Sequence, residues 1–166
     1  MELTFEIITL SVLIALSGFF SGLEVALVGV TRSKVNQMLS KKLPGAKSLH
    51  KLKSNPSRMM ASVNLGNNLV NVASTALATS IALKIFENNG LAIVIGVMTF
   101  LILVFGEITP KTYCNANAAK IALRYSRVLL AFSYAFYPVV WIFEQITKGI
   151  IKLTGSSQEP PRLTED

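Results

Sequence analysis

The sequence predicts an all-α, polytopic membrane protein, and three observations carry that reading. Three apolar stretches are long enough to cross a bilayer, the connection between the first two is basic without a single acid, and charge is scarce overall. Of 166 residues, 51% are hydrophobic and 15% charged, against about 25% charged in an ordinary soluble domain. A soluble domain of this size would be left with large exposed apolar patches. The lone Cys114 excludes an intramolecular disulfide and a four-cysteine zinc site. The net charge of +7 gathers in connections between apolar stretches. It lacks the interleaved aromatics of a nucleic-acid groove, so it reads as membrane topology and not as nucleic-acid binding.

The first span covers about residues 5–30 and meets no basic residue before Arg32. Its length and the early Glu2 and Glu6 argue for an uncleaved span over a signal peptide. Ser11, Ser17, Gly18, Ser21 and Gly22 form a small-residue stripe. Gly18 and Gly22, four apart, invite close helix packing; with Ala26 and the small residues from Ala73 to Ala82 they predict a homodimer joined through the spans. Glu24 places a carboxylate in the same span. Serine hydroxyls in such a helix can bond back to the preceding turn, and Ser21, in a Ser-Gly stretch, is equally a candidate site residue.

From Thr31 to Arg58 the chain carries eight Lys or Arg residues and no acid. The positive-inside rule makes this connection cytoplasmic, in contact with lipid headgroups, and puts the N terminus outside. Thr31 can cap a short helix carrying Val35, Met38 and Leu39, Pro44-Gly45 turns the chain, and Asn55-Pro56-Ser57 opens the second span.

The second span, about residues 59–85, is punctuated by Asn64, Asn67, Asn68 and Asn71, with Thr75 beyond. Amides in hydrocarbon need partners, so they should face the bundle interior or a wet cavity. Asn64, Asn68, Asn71 and Thr75 are spaced four, three and four and share one helix face, with Asn67 just off it. The same amides would also serve as hydrogen bonds between helices. Lys84 to Gly90, with Asn88-Asn89-Gly90, reads as a short external turn.

The third span, about residues 91–108, ends on Gly106-Glu107-Ile108-Thr109-Pro110-Lys111. A carboxylate at that depth costs about 2.5–3.5 kcal/mol unless it is paired or faces a polar cavity. Pro110 should break or kink the helix and free carbonyls beside Glu107. A carboxylate beside free carbonyls suits a hard cation; the alternative is a helix that simply ends at the interface, where Glu107 reaches water. Lys111 either pairs with Glu107 while the ion is absent or anchors the interface. Thr112 to Ala119 then reads as a polar connector folded under the bundle.

Residues 121–153 are amphipathic and aromatic, interrupted by Pro138. A helix lying in the cytoplasmic interface and bent by its proline suits them better than a fourth span. Residues 1–153 thus form the transmembrane domain. Residues 154–166 have linker composition, leading to a cytoplasmic region beyond them.

Three motifs carry a family resemblance. Phe20-Ser21-Gly22-Leu23-Glu24, Leu65-Gly66-Asn67-Asn68-Leu69-Val70-Asn71 and Gly106-Glu107-Ile108-Thr109-Pro110-Lys111-Thr112, in that order, resemble the transmembrane domain (DUF21) of the CNNM/CorC magnesium transporters. Leu23 departs from the serine-rich first motif of many members. The resemblance implies a homodimer of three-span subunits with a juxtamembrane belt helix, and a magnesium site built from the three motifs. It further implies Mg2+ as transported substrate, Na+ as a coupling ion for export, and cytoplasmic CBS domains; no nucleotide is expected on these 166 residues, which lack those domains.

The residue chemistry agrees with magnesium. Ser21, Asn68, Asn71, Glu107 and the Gly106 carbonyl offer hard oxygen from three helices, with Gly22, Glu24, Asn64, Asn67, Pro110 and Lys111 around them. His50 lies in the basic connection and Cys114 stands alone, which disfavours zinc or copper. An enzyme is not expected, since no nucleophile, base and orienter occur at a workable spacing. The alternative to transport is a membrane protein that senses or scaffolds around Mg2+ without turnover. The topology is open to a direct test. An impermeant thiol reagent applied to intact cells should label a cysteine placed at Asn88 and spare one at Ser48, and the reverse pattern would refute the assignment.

Overall fold

The computed structural model describes residues 2–85 and 91–153, and helix α1 (Glu2–Gly29) packs against residues 56–85, 102–116 and 118–135. The expected turn at Asn88-Asn89-Gly90 and the linker at 154–166 lie outside the described residues. The connection after α1 folds into two short helices, α2 (Arg32–Ser40) and α3 (Ala46–Ser54). Thr31 Oγ1 caps α2 by accepting from the Lys34 amide at 3.3 Å, as its residue type predicts. Gly45, at φ +90°, turns the chain into α3. Its missing side chain matters too, because a Cβ there would lie 2.2 Å from the Leu123 carbonyl oxygen.

Asn55 Oδ1 accepts from the Arg58 amide at 3.1 Å and Pro56 takes the first position of the long helix α4 (Pro56–Ile85). The third span runs from α5 (Leu91–Leu101) through a π-helical stretch (Ile102–Ile108) into α6 (Thr109–Ala116). Of the two outcomes expected at Pro110, a break or a kink, the break does not occur. One wider turn, in which Val104 O accepts from Thr109 N, absorbs the proline's misfit with the turn behind it. The stretch expected to be a connector, Thr112–Ala116, is consequently helical, and only Asn117 separates it from α7 (Ala118–Ala135).

Helix α8 (Tyr137–Leu153) leaves α7 at an 82° bend. The break falls at Phe136. Pro138 sits in the first turn of α8, where a missing amide breaks no helical hydrogen bond, so it opens the second helix instead of bending a single one. The α7–α8 pair lies at the end of the spans that carries the connection α2–α3, here called the loop end. The Ser62 and Ser133 hydroxyls are hydrogen-bonded at 2.9 Å, Arg58 lies 3.8 Å from the buried Glu144 and 4.7 Å from the Tyr137 ring centre, and Lys51 lies over Tyr134.

Burial is unequal along the bundle. At the loop end Phe20, Leu23, Leu27, Val35, Leu49, Leu52, Val63 and Leu129 make one core. The far half holds a small cluster of Leu10, Ala78 and Ile81, and the ion pair Glu6–Lys84 ties the ends of α1 and α4 there. The third span stands at one side, with only 6% of its most apolar window buried.

Phe20 shows how the motifs serve packing. Its ring sits over Gly66, where a Cβ would approach to 2.3 Å, and is held by Phe19 and Phe132 at 5.4 and 5.2 Å between ring centres. Gly66→Ala should therefore destabilise the protein by about 1–3 kcal/mol. Phe20→Leu in the same chain should recover part of that loss, read as thermal unfolding in detergent. An unchanged midpoint for the single variant would contradict this packing.

A candidate cation site between three helices

Three helices meet at Ser17. Its hydroxyl donates to Asn71 Oδ1 at 2.6 Å and lies 3.4 Å from the Gly106 carbonyl oxygen, joining α1, α4 and the π-helical stretch. A single hydroxyl proton serves the shorter bond, so the Gly106 carbonyl keeps acceptor capacity. Pro110 offers no amide hydrogen to the carbonyls behind it, either four residues back at Gly106 or, in the wider register, five back at Phe105. Ser17 was not among the site residues expected from sequence. The signal was present, since Ser17, Ser21 and Glu24 are spaced four and three apart and line one face of α1.

One turn nearer the loop end, the buried Ser21 Oγ and Asn67 Oδ1 each lack a hydrogen-bond partner. Orphaned buried oxygens of this kind cost about 1–3 kcal/mol each. Asn67, placed just off the stripe by sequence, thus points inward, while Asn64 and Asn68 on the same helix are exposed on the protomer. Asn71 is the stripe member that the fold brings to Ser17.

One turn further again the site is charged. Lys111 Nζ lies 2.8 Å from Glu107 Oε1 and 3.9 Å from Glu24 Oε2, so one ammonium bridges the third span to α1. Two carboxylates and one ammonium leave a net charge of −1 when all are ionised. The sequence left open whether Glu24 faces this cluster or pairs with Arg58; it faces Lys111, and Arg58 pairs with Glu144.

Gly18 and Gly22 set the distance between these helices. A Cβ on Gly18 would lie 2.9 Å from Pro110 Cγ, and one on Gly22 would lie 2.5 Å from Cys114 Sγ and 3.2 Å from the Pro110 carbonyl oxygen. The small-residue face expected to pair two subunits is therefore occupied within the protomer, and the same holds for the fully buried Ala26. Gly22 and Pro110 act by packing. No group of three or more His, Cys, Asp or Glu side chains is gathered among the described residues, so a cation here would meet hydroxyl, amide and carbonyl oxygen with one or two carboxylates, a hard-ion donor set.

Residues 7–166 match the family model of the cyclin M transmembrane N-terminal domain. The chain belongs to the CNNM family. A UPF0053 protein of Haemophilus influenzae is 34% identical over 89% of this chain and 35% of its own length. The UPF0053 inner membrane protein YfjD of Escherichia coli is 34% identical over 84% of this chain and 33% of its own. A chloroplastic DUF21 domain-containing protein of Arabidopsis thaliana is 35% identical over 95% and 24% respectively. The chain thus spans a quarter to a third of the length of these relatives. Together with its three candidate spans, the match makes this CNNM domain a multi-pass membrane protein.

Within the CNNM domain the Ser17 bond has a measurable weight. Ser17→Ala leaves Asn71 Oδ1 without its donor, which should cost about 1–3 kcal/mol of stability. Thermal unfolding of the apo protein in detergent reads this, and a variant as stable as the wild type would show that the bond contributes nothing.

Proposed function

We propose that this domain binds Mg2+ between α1, α4 and the third span and carries it across the membrane. The observation that supports this most is the convergence of hard oxygen on one place: the Ser17–Asn71–Gly106 contact, the two partnerless oxygens one turn away, and the Glu24–Lys111–Glu107 cluster beyond. An Mg2+ ion dehydrates reluctantly and keeps some water, so a few protein oxygens around a negative centre suffice. In this reading Ser21, Asn71, the Gly106 carbonyl and Glu107 are ligands. Asn67 joins them in preference to Asn68, because its oxygen is buried and unsatisfied. Lys111 neutralises Glu107 while the ion is away and is displaced when it binds, which lowers the cost of an empty site in the membrane.

The basic connection at the loop end supports a reading in which that end, and the site's access, face the cytoplasm of a cell whose plasma membrane holds the protein, with the N terminus outside. Na+-coupled export is the mode that the family resemblance suggests. A homodimer, with CBS domains in the full-length chain, completes the assembly. Its contact surface shifts from the Gly18–Gly22 face to the exposed Asn64 and Asn68 of α4 and the uncovered side of the third span, since exposed amides on a membrane helix require partners.

Calorimetric titration with Mg2+ tests the site on folded protein of unchanged helicity. Glu107→Gln removes the charge that offsets ion dehydration and should weaken binding roughly tenfold or more, equivalent to ~1.4 kcal/mol. Asn71→Ala removes a neutral group and should weaken it less, and Glu24→Gln least of all. Unchanged affinity in folded Glu107→Gln would end the site assignment. Mg2+ flux in liposomes with a trapped indicator separates transport from the alternative of a sensor without turnover; binding without flux leaves the sensor.

A further inference from the structure

We propose that the pocket between α2 and α3 at the loop end binds a phosphate oxyanion, carried either by an anionic lipid headgroup or by free phosphate. The pocket is a cavity of about 210 Å³ lined by Arg32, Val35, Asn36, His50, Lys53 and Ser54. At about 30 Å³ per water in the liquid, it has room for a phosphate group and part of its hydration. Val35, one of the lining residues, belongs to the core, so the pocket is carried by packed helices. Ser54 already donates to the His50 carbonyl at 2.8 Å, which leaves Arg32, Lys53, Asn36 and the His50 imidazole to face a ligand.

The charge there is unbalanced. Each acid whose side chain is described already has a cation: Glu6 has Lys84, Glu24 and Glu107 share Lys111, and Glu144 has Arg58. Arg32 and Lys53 make no ion pair among the described residues. Burial, and then the neighbouring Arg32, push the Lys53 ammonium below the usual lysine range, the expected result of partly burying an ammonium beside a second cation. A dianionic or monoanionic phosphate would relieve both effects, and an arginine beside an ammonium and an amide is a suitable set of donors for it.

Position favours the headgroup as the source. Arg32 follows the last residue of α1, Gly29, by three residues, and Ser54 precedes the first residue of α4, Pro56, by two. The pocket therefore opens where two membrane spans emerge, at the depth of lipid phosphates. This site is independent of the cation site and stands or falls separately.

Native mass spectrometry of the purified chain, mixed with phosphatidylglycerol or phosphatidylcholine, tests the lipid source. Calorimetry with inorganic phosphate in neutral-lipid discs tests the free one. The wild type should retain phosphatidylglycerol over phosphatidylcholine, and R32A/K53A should bind it about tenfold more weakly. K34A/K41A, which removes equal charge from the same connection outside the pocket, should leave binding unchanged. K53M keeps an apolar stem of similar length and removes the charge, so it gives the same direction if the double variant fails to fold. Phosphate binding that R32A/K53A abolishes would support the pocket with free phosphate as ligand. Equal losses in R32A/K53A and K34A/K41A would reduce the effect to general charge attraction and overturn the pocket, as would binding of neither anion by the wild type.

Discussion

The seating of Pro110 against Gly18 and Gly22 is the contact on which the rest of the structure depends. With hydrogen as the side chain at both positions, α1 admits the proline ring and the Pro110 carbonyl at distances no larger side chain would allow. The π-helical turn just before Pro110 keeps the third span continuous through a residue that cannot donate to the helix. The approach puts Gly106 against Ser17 and Lys111 against Glu24. A third span that stopped at Pro110 would leave Lys111 and Cys114 without their places on α1.

Packing and polarity are distributed so that the site falls between two unlike halves. The loop end has a large core built by α1, the two short helices, the start of α4 and α7. The far half has a small cluster and the Glu6–Lys84 pair. Segments with few buried contacts open at lower free energy than well-packed ones, so the far ends of the spans are the part that the fold restrains least. The polar atoms of Ser17, Asn71 and Gly106 mark the boundary, and the orphaned oxygens of Ser21 and Asn67 lie on its packed side.

Charge follows the same economy of partners. Lysine or arginine residues meet each acid whose side chain is described, and Lys111 serves two carboxylates at once. Of the eight basic residues of the first connection, Arg58 is met by Glu144 of α8; the connection itself holds no acid, so the charge of the other seven is left for the membrane surface or for a bound anion.

The sequence by itself determined the helix content, the three spans, the capping at Thr31 and Asn55, the turn at Gly45 and the family, because each depends on local chemistry or on the polarity of a whole segment. It also singled out Asn71, Glu107 and Lys111, since a polar or charged residue in hydrocarbon is visible without a fold, and the Gly106 carbonyl, since Pro110 four residues on cannot donate to it. Tertiary structure alone decided which groups meet. Helical spacing gave Asn64, Asn68 and Asn71 equal standing; only the approach of α1 brought Asn71 to Ser17, left Asn64 and Asn68 exposed and turned Asn67 inward. The small residues of α1 could have faced another subunit or a neighbouring span, and Pro110 and Cys114 fill that face. Pro110 itself was read locally as breaking or kinking its helix; a continuous span through it was possible because α1 packs the proline and a widened turn absorbs its misfit, a solution that requires both helices at once.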